Sequence, residues 1–390
     1  MENQMNFDEI IDRTHTDSLK WSIYGKDILP LWVADMDFRC PEPVMDALKA
    51  RVDHGIFGYD LPPRELAPHV VERMKQLYDW TILEEDVCFV PGCVTGFNLA
   101  LRAFCKPGDA VIVQTPVYGP ILCAPENHGL IRIDNSLIEQ EDGKYVVNYD
   151  TFEEQIIRNK VKLFILCNPH NPVGRVFERS ELSRMAEICL AHDVIICSDD
   201  IHCDLIFSGF RHVPIASLSS EIARRTVTLI APSKTYNIAG LHASVVIIQD
   251  EKMKKAMKIA RQGMVGNPSS LSMIAALAAY REGGDWLKEV LAYLKANRDW
   301  LVNAVAEKLP GVKMFRPEGT YLAWLDCRGL KITTDPYHFF LEKAHVGLND
   351  GLDYGEDGRG FVRLNFGTPR SILEEAVARM QAAMKVEGLI

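Results

Sequence analysis

The sequence predicts an α/β protein in which a mostly parallel seven-stranded sheet, flanked by helices, forms a large domain and a smaller α/β domain follows it. Short apolar runs rich in valine and isoleucine recur at Val87 to Val90, Ala110 to Val113, Leu163 to Cys167, Val194 to Cys197 and Thr226 to Ile230. Strands buried on both faces of a parallel sheet read this way. Helix-like stretches separate them, such as Ser180 to His192, where Leu182, Met185, Ala186 and Cys189 make one apolar face.

Taken in order, residues 1–45 read as an irregular segment expected to pack on the active site and the small domain. Its stretch Leu29 to Phe38 is too apolar and aromatic for a free tail. Residues 46–285 hold the large domain, and the runs Ile131 to Ile133 and Val245 to Ile248 bring its strands to about seven. A helix is expected over Thr95 to Cys105. Gly283-Gly284 then interrupts the pattern, and residues 286–390 read as the small domain. It carries a long helix from Trp286 to Lys308, strands at Tyr321 to Leu325 and Phe361 to Asn365, and helices at Pro336 to Ala344 and Ile372 to Met384.

Composition narrows the function classes. The 390 residues are 47% hydrophobic with a formal net charge of -10, and the absence of a lysine- or arginine-rich run argues against nucleic acid. No apolar run has the length of a membrane span, and the polar start, Met1 to Met5, does not read as a signal peptide. A cytoplasmic enzyme is expected. The ten cysteines are scattered without a Cys-x-x-Cys pair, and there is no His-Glu-x-x-His, so buried free thiols are expected and no metal.

Chemistry is expected where the strands end, because open α/β sheets bind ligands outside the carboxyl ends of their strands. Lys234, just past the run Thr226 to Ile230, is placed to form a Schiff base with an aldehyde, since burial lowers a lysine's pKa and frees its nucleophile. Pro91 to Gly96 runs from a strand into a helix, so the amides of Gly92, Cys93 and Val94 can hold a phosphate, with the Ser233 hydroxyl beside them. Neither Gly-x-Gly-x-x-Gly nor a P-loop occurs, against a dinucleotide or a nucleoside triphosphate. Asp199 ends another strand, where a carboxylate needs a cation such as a protonated pyridine nitrogen. Tyr118 can stack on an aromatic ring, and Asn168 and Asn171 offer amide donors to a phenolic oxygen. Each residue alone has an ordinary reading: solvated lysine, turn serine, helix cap, packing tyrosine, loop asparagine. Together they supply what pyridoxal 5′-phosphate requires.

The chain resembles the fold-type I pyridoxal-phosphate enzymes of the class I/II aminotransferase superfamily over nearly its whole length. Within it, the chain resembles the cystathionine β-lyase-like carbon-sulfur lyases of the MalY/PatB subgroup. That likeness rests on Thr16 to Trp21, Trp32 to Phe38, Ser198 to His202, Ala231 to Asn237 and Arg363 to Gly367. The resemblance implies that Asn171 contacts the ring hydroxyl, Asp199 the pyridine nitrogen and Lys234 the aldehyde carbon. It implies that Arg363 binds the substrate carboxylate, with Ala34 and Asn171 also on the substrate. Tyr59 is expected to reach the phosphate of a neighbouring subunit, hence a homodimer with shared sites. His202 stands where many aminotransferases have a tyrosine and the lyase subgroup has histidine. Val173 replaces a common threonine, and His242 stands where many relatives have a phosphate-binding arginine. The function implied is β-elimination from L-cystathionine or related cysteine conjugates. An aminotransferase acting on an L-amino acid and a 2-oxo acid is the alternative, and a regulatory protein that keeps the cofactor is a third.

Overall fold

The computed structural model describes residues 5–390; Met1 to Gln4, the first of the amino-terminal segment, lie outside the described residues. Seven strands form the main sheet: β1 (Val87–Val90), β2 (Ala110–Thr115), β3 (Ile131–Ser136), β4 (Leu163–Cys167), β5 (Ile195–Asp199), β6 (Thr226–Ile230) and β7 (Ser244–Ile247). Their spatial order is β1-β7-β6-β5-β4-β2-β3, with β7 alone antiparallel to its neighbours.

The valine-rich runs form strands because both faces of the sheet are covered. Every residue of β2, β4 and β6 is buried. Alternate residues divide between two cores: Val111, Val113 and Ile165 pack on one face, Ala110, Ile112 and Phe164 on the other. Each fully buried aliphatic side chain contributes on the order of 1.5–3 kcal/mol before chain entropy is charged against it. At the edge, β3 buries only Asn135, which is why its apolar signal is faint.

A second sheet holds β8 (Lys313–Met314), β9 (Leu322–Asp326), β10 (Asn349–Asp350) and β11 (Phe361–Asn365), antiparallel throughout in the order β8-β9-β11-β10. The long helix Gly284–Lys308 and the helix Arg370–Val386 pack against it through Leu294, Leu301, Leu373 and Met380. The amino-terminal segment joins this region: Leu29–Pro30 pairs in parallel with Val346–Gly347.

Several boundaries differ from expectation. The fifth strand excludes Val194 and runs on to Asp199, whose backbone carbonyl still accepts the Asn168 N–H at 3.0 Å. The helix after β1 begins at Cys93, because Gly92 at φ 102° turns the chain directly into it. Residues before 46 are not wholly irregular, since a short helix covers Leu19–Ser22 and a longer one starts at Glu42. Gly283 separates two helices, Ser270–Glu282 and Gly284–Lys308. A side chain there would meet the Ala279 carbonyl at 2.5 Å and the Tyr236 ring at 2.6 Å. No helix among the described residues is long and apolar enough to cross a membrane.

Candidate active site

β5 and β6 run side by side, with Asp199 opposite Leu229. That register sets the buried end of β5 beside the turn after β6, which carries Lys234. Lys234 lies in the single helical turn Pro232–Thr235 and donates from Nζ to the Ala34 carbonyl at 2.7 Å. Burial, and then the Arg363 charge, bring its pKa down to about 8, while Asp35 and Asp199 pull it back up. About one amine in ten is then neutral at pH 7, far more than for an exposed lysine.

Asp199 is only 3% exposed and forms no ion pair among the described residues. The Ile201 N–H reaches its carboxylate at 3.3 Å. Burial and the adjacent Asp200 push its pKa up to about 7. A buried acid in that condition fits a cationic ring nitrogen, which would return it to the charged form. Asp200, by contrast, is satisfied by the Ser198 hydroxyl and by His212, whose Nε2 lies 3.2 Å away.

Arg363 is the complementary case, a buried guanidinium with no carboxylate partner among the described residues. It donates to the Asn171 amide oxygen at 3.1 Å, and to the Trp32 carbonyl and the Asn349 amide oxygen at 2.6 Å each. Its Nε has no partner, and the guanidinium lies 5.2 Å over the Tyr354 ring. Three neutral acceptors hold the fork while leaving its charge uncompensated, as a carboxylate-binding arginine requires.

His202 is also buried, with Nδ1 unpartnered and its ring edge-on to Tyr321. Burial, Lys234 and Arg363 take its pKa down to about 3, so it is a neutral imidazole with one ring nitrogen left without a partner. Tyr118 caps the helix Gly119–Asn127, and its phenol pKa is raised by burial and then by Asp199. The first backbone bond of the helix Cys93–Phe104 runs from Gly96 to Gly92, so the N–H groups of Cys93, Val94 and Thr95 have no intrahelical partner. The Cys93 thiol sits 3.5 Å from the Ser244 hydroxyl, and Ser233 is buried without a side-chain hydrogen bond to another described residue.

Not every expected residue presents itself to the crevice. The Asn168 side chain is spent inside the protein, accepting from the Phe177 N–H and meeting His212. The Val94 side chain is exposed, leaving only its amide for the site, and His242 is exposed in a left-handed turn. Tyr59 is fully exposed in a run where Ile56, Phe57 and Leu61 are exposed as well, so it reaches nothing in its own chain.

Four contributors were not foreseen. Tyr321 donates to the Ala34 carbonyl at 2.8 Å, and Asn349 orients Arg363. Asn237 grips Met36 and Phe38 through three hydrogen bonds, and Asn365 grips Val33 and Asp35. Behind them, Lys20 and Arg13 pair with Asp37 at 2.6 and 2.7 Å. Burial pushes the Asp37 carboxyl up, but Lys20, Trp21 and Arg13 outweigh it and hold it below its ordinary value. Asn237 and Asn365 lie within the segments Ala231 to Asn237 and Arg363 to Gly367, and Asn365, two residues after Arg363, falls on the same strand face.

Residues 26–380 match the family model for aminotransferase class I and II. The chain belongs to that family. It is 42% identical to cystathionine β-lyase PatB of Bacillus subtilis (strain 168) over 388 residues, covering 97% of this chain and 100% of that protein. The solved structure of OvoB superposes with a TM-score of 0.92 at 45% identity, over 97% of this chain and 99% of that one. Cystalysin from Treponema denticola, whose structure contains pyridoxal 5′-phosphate, superposes with a TM-score of 0.94 at 33% identity, over 98% and 99% of the two chains.

Proposed function

We propose that this protein is a pyridoxal-phosphate-dependent carbon-sulfur β-lyase that cleaves L-cystathionine or related cysteine conjugates to a thiol, pyruvate and ammonia. One arrangement carries the reading: a buried cation without an anion, Arg363, and a buried acid without a cation, Asp199, both within electrostatic reach of Lys234. An α-amino acid supplies the missing anion and a pyridine ring the missing cation. The likeness to a cystathionine β-lyase over nearly the whole chain supports elimination as the outcome.

Pyridoxal phosphate supplies an electron sink for the pair released at the substrate's α-carbon. The amides of Cys93, Val94 and Thr95 and the Ser233 hydroxyl would hold its phosphate; the Gly92 N–H, expected among them, is spent on the Val90 carbonyl at 2.9 Å. Tyr118 would lie against the ring, Asn171 and His202 would meet its hydroxyl, and Asp199 would pair with its protonated nitrogen. Asn168 is a support beneath them. Arg363 takes the substrate carboxylate in its fork and fixes the α-carbon, with the Ala34 and Asn171 backbone alongside. Lys234 Nζ removes the α-hydrogen as general base. The thiolate then leaves the β-carbon and is protonated to a thiol.

The exposed run around Tyr59 suits burial against a second copy, where Tyr59 reaches the partner's phosphate. The site therefore belongs to a homodimer. The large domain spans residues 46–285, the small domain 286–390, and the segment before them closes the site. Ten unpaired cysteines suit a reducing compartment, the cytoplasm. The test is direct: purified holoenzyme given L-cystathionine and no 2-oxo acid releases thiol and pyruvate in step. Silence in that assay would sink the lyase reading.

A further inference from the structure

The Ala34 carbonyl accepts two hydrogen bonds, from Lys234 Nζ at 2.7 Å and from the Tyr321 hydroxyl at 2.8 Å. Its direction follows from the turn it sits in. The Asp35 N–H donates back to the Val33 carbonyl at 2.9 Å, closing a three-residue turn centred on Ala34. Across a planar trans peptide the C=O and N–H point opposite ways, so an Asp35 N–H aimed into the turn aims the Ala34 C=O out of it, at Lys234.

Asn365 holds that turn from the far side. Its amide nitrogen donates to the Val33 carbonyl at 2.5 Å and the Asp35 carbonyl at 2.6 Å, the two that flank Ala34. Its amide oxygen accepts the Gly367 N–H at 2.8 Å, so both donors and the acceptor are engaged, and the residue is wholly buried. One strand position earlier on the same face, Arg363 holds the Trp32 carbonyl. The turn is thus fixed by the strand that carries the carboxylate-binding arginine.

We infer that the Ala34 carbonyl is a resting place for the Lys234 ammonium, and that Asn365 is the positioning residue that aims it, biasing the enzyme toward elimination and away from transamination. The inference rests on the lyase reading above. When Nζ takes the α-hydrogen it becomes an ammonium, which a carbonyl oxygen binds more strongly than the neutral amine. As the β-carbon to sulfur bond breaks, its electron pair leaves with the thiolate, the former C–H pair becomes the new Cα=Cβ bond, and the proton on Nζ passes to sulfur. Transamination requires the same proton to be returned to the cofactor's own carbon. An ammonium held at Ala34 is held back from that return.

The experiment compares wild-type holoenzyme with Asn365→Ala and the milder Asn365→Ser, counting how often a turnover on L-cystathionine leaves the cofactor in its amino form, seen as loss of the visible band. A charge-assisted hydrogen bond of ordinary strength predicts a rise of about tenfold in that fraction for Asn365→Ala. The visible band of the resting enzyme should titrate with pH as in the wild type, because an Nζ bonded to the cofactor would not be a free ammonium for Ala34 to hold. A folded variant of either kind with an unchanged fraction overturns the inference. So does a raised fraction together with a shifted resting titration, which means general loosening. Pyruvate and thiol formation by the wild type, measured in parallel, reports separately on the lyase reading.

Discussion

Lys234 and Tyr321, from different sheets, donate to the same oxygen, the carbonyl of Ala34. The lysine comes from the turn after β6, the tyrosine from the start of β9, and the acceptor from the amino-terminal segment. The Lys234 amine is thereby tied to all three regions at once, and changes in any of them should register there.

Removing the amine is the severest change. Lys234→Ala should lose the visible absorbance of the bound cofactor and at least about a thousandfold in turnover, as expected when nucleophile and general base are one group. Absorption spectra and steady-state rates read this directly, and retention of both would refute the assignment.

Cofactor uptake should follow the ionisation of the same amine. Its pKa is lowered from 10.5 to about 8, and only the neutral form condenses with an aldehyde. The rate of uptake by cofactor-free protein should therefore climb about tenfold per pH unit below pH 8 and level off above it. A rate still climbing beyond pH 10 would mean an unperturbed lysine.

Asp199 makes a prediction of opposite sign for stability. Its pKa rises from 3.8 to about 7 on folding, so the folded chain binds more protons than the unfolded one between those values, and stability falls as pH rises through them. In cofactor-free protein Asp199→Asn should relieve this above pH 7, by up to about 4 kcal/mol, and raise Tm at pH 8. The same variant should bind the cofactor more weakly. A lower Tm for the cofactor-free variant at pH 8 would contradict the reading.

Arg363→Lys keeps the charge and loses the planar fork. kcat/KM should drop roughly 30- to 1,000-fold, the range for a buried charge pair that loses its geometry. Kinetics that match the wild type would place the substrate carboxylate elsewhere.

A shared site can be checked by mixing. Tyr59→Ala and Lys234→Ala subunits should each be impaired alone, yet a mixed dimer should rebuild one intact site of its two. Random exchange should recover about a quarter of wild-type activity, whereas independent sites recover none.

The main sheet was legible because its strands are buried on both faces, which leaves unbroken valine-rich runs such as Leu163 to Cys167. The turns that follow those strands were legible too, since glycine and proline bend the chain there, as at Gly92 and Pro169. The two-residue strands at Lys313 and Asn349 are too short to leave a pattern. The contacts of Tyr321, Asn237 and Asn365 were not legible because each acts on a segment 199 or more positions away, and no local spacing records such a contact. The Asn168 amide had a plausible role at a strand end, but satisfying the buried Phe177 N–H and His212 took precedence.

The most direct test counts products. Holoenzyme given L-cystathionine should form thiol, pyruvate and ammonia in equal amounts, at the same rate with or without an added 2-oxo acid. Turnover that depends on the oxo acid, with neither pyruvate nor thiol released, would contradict a lyase and assign the chain to amino-group transfer.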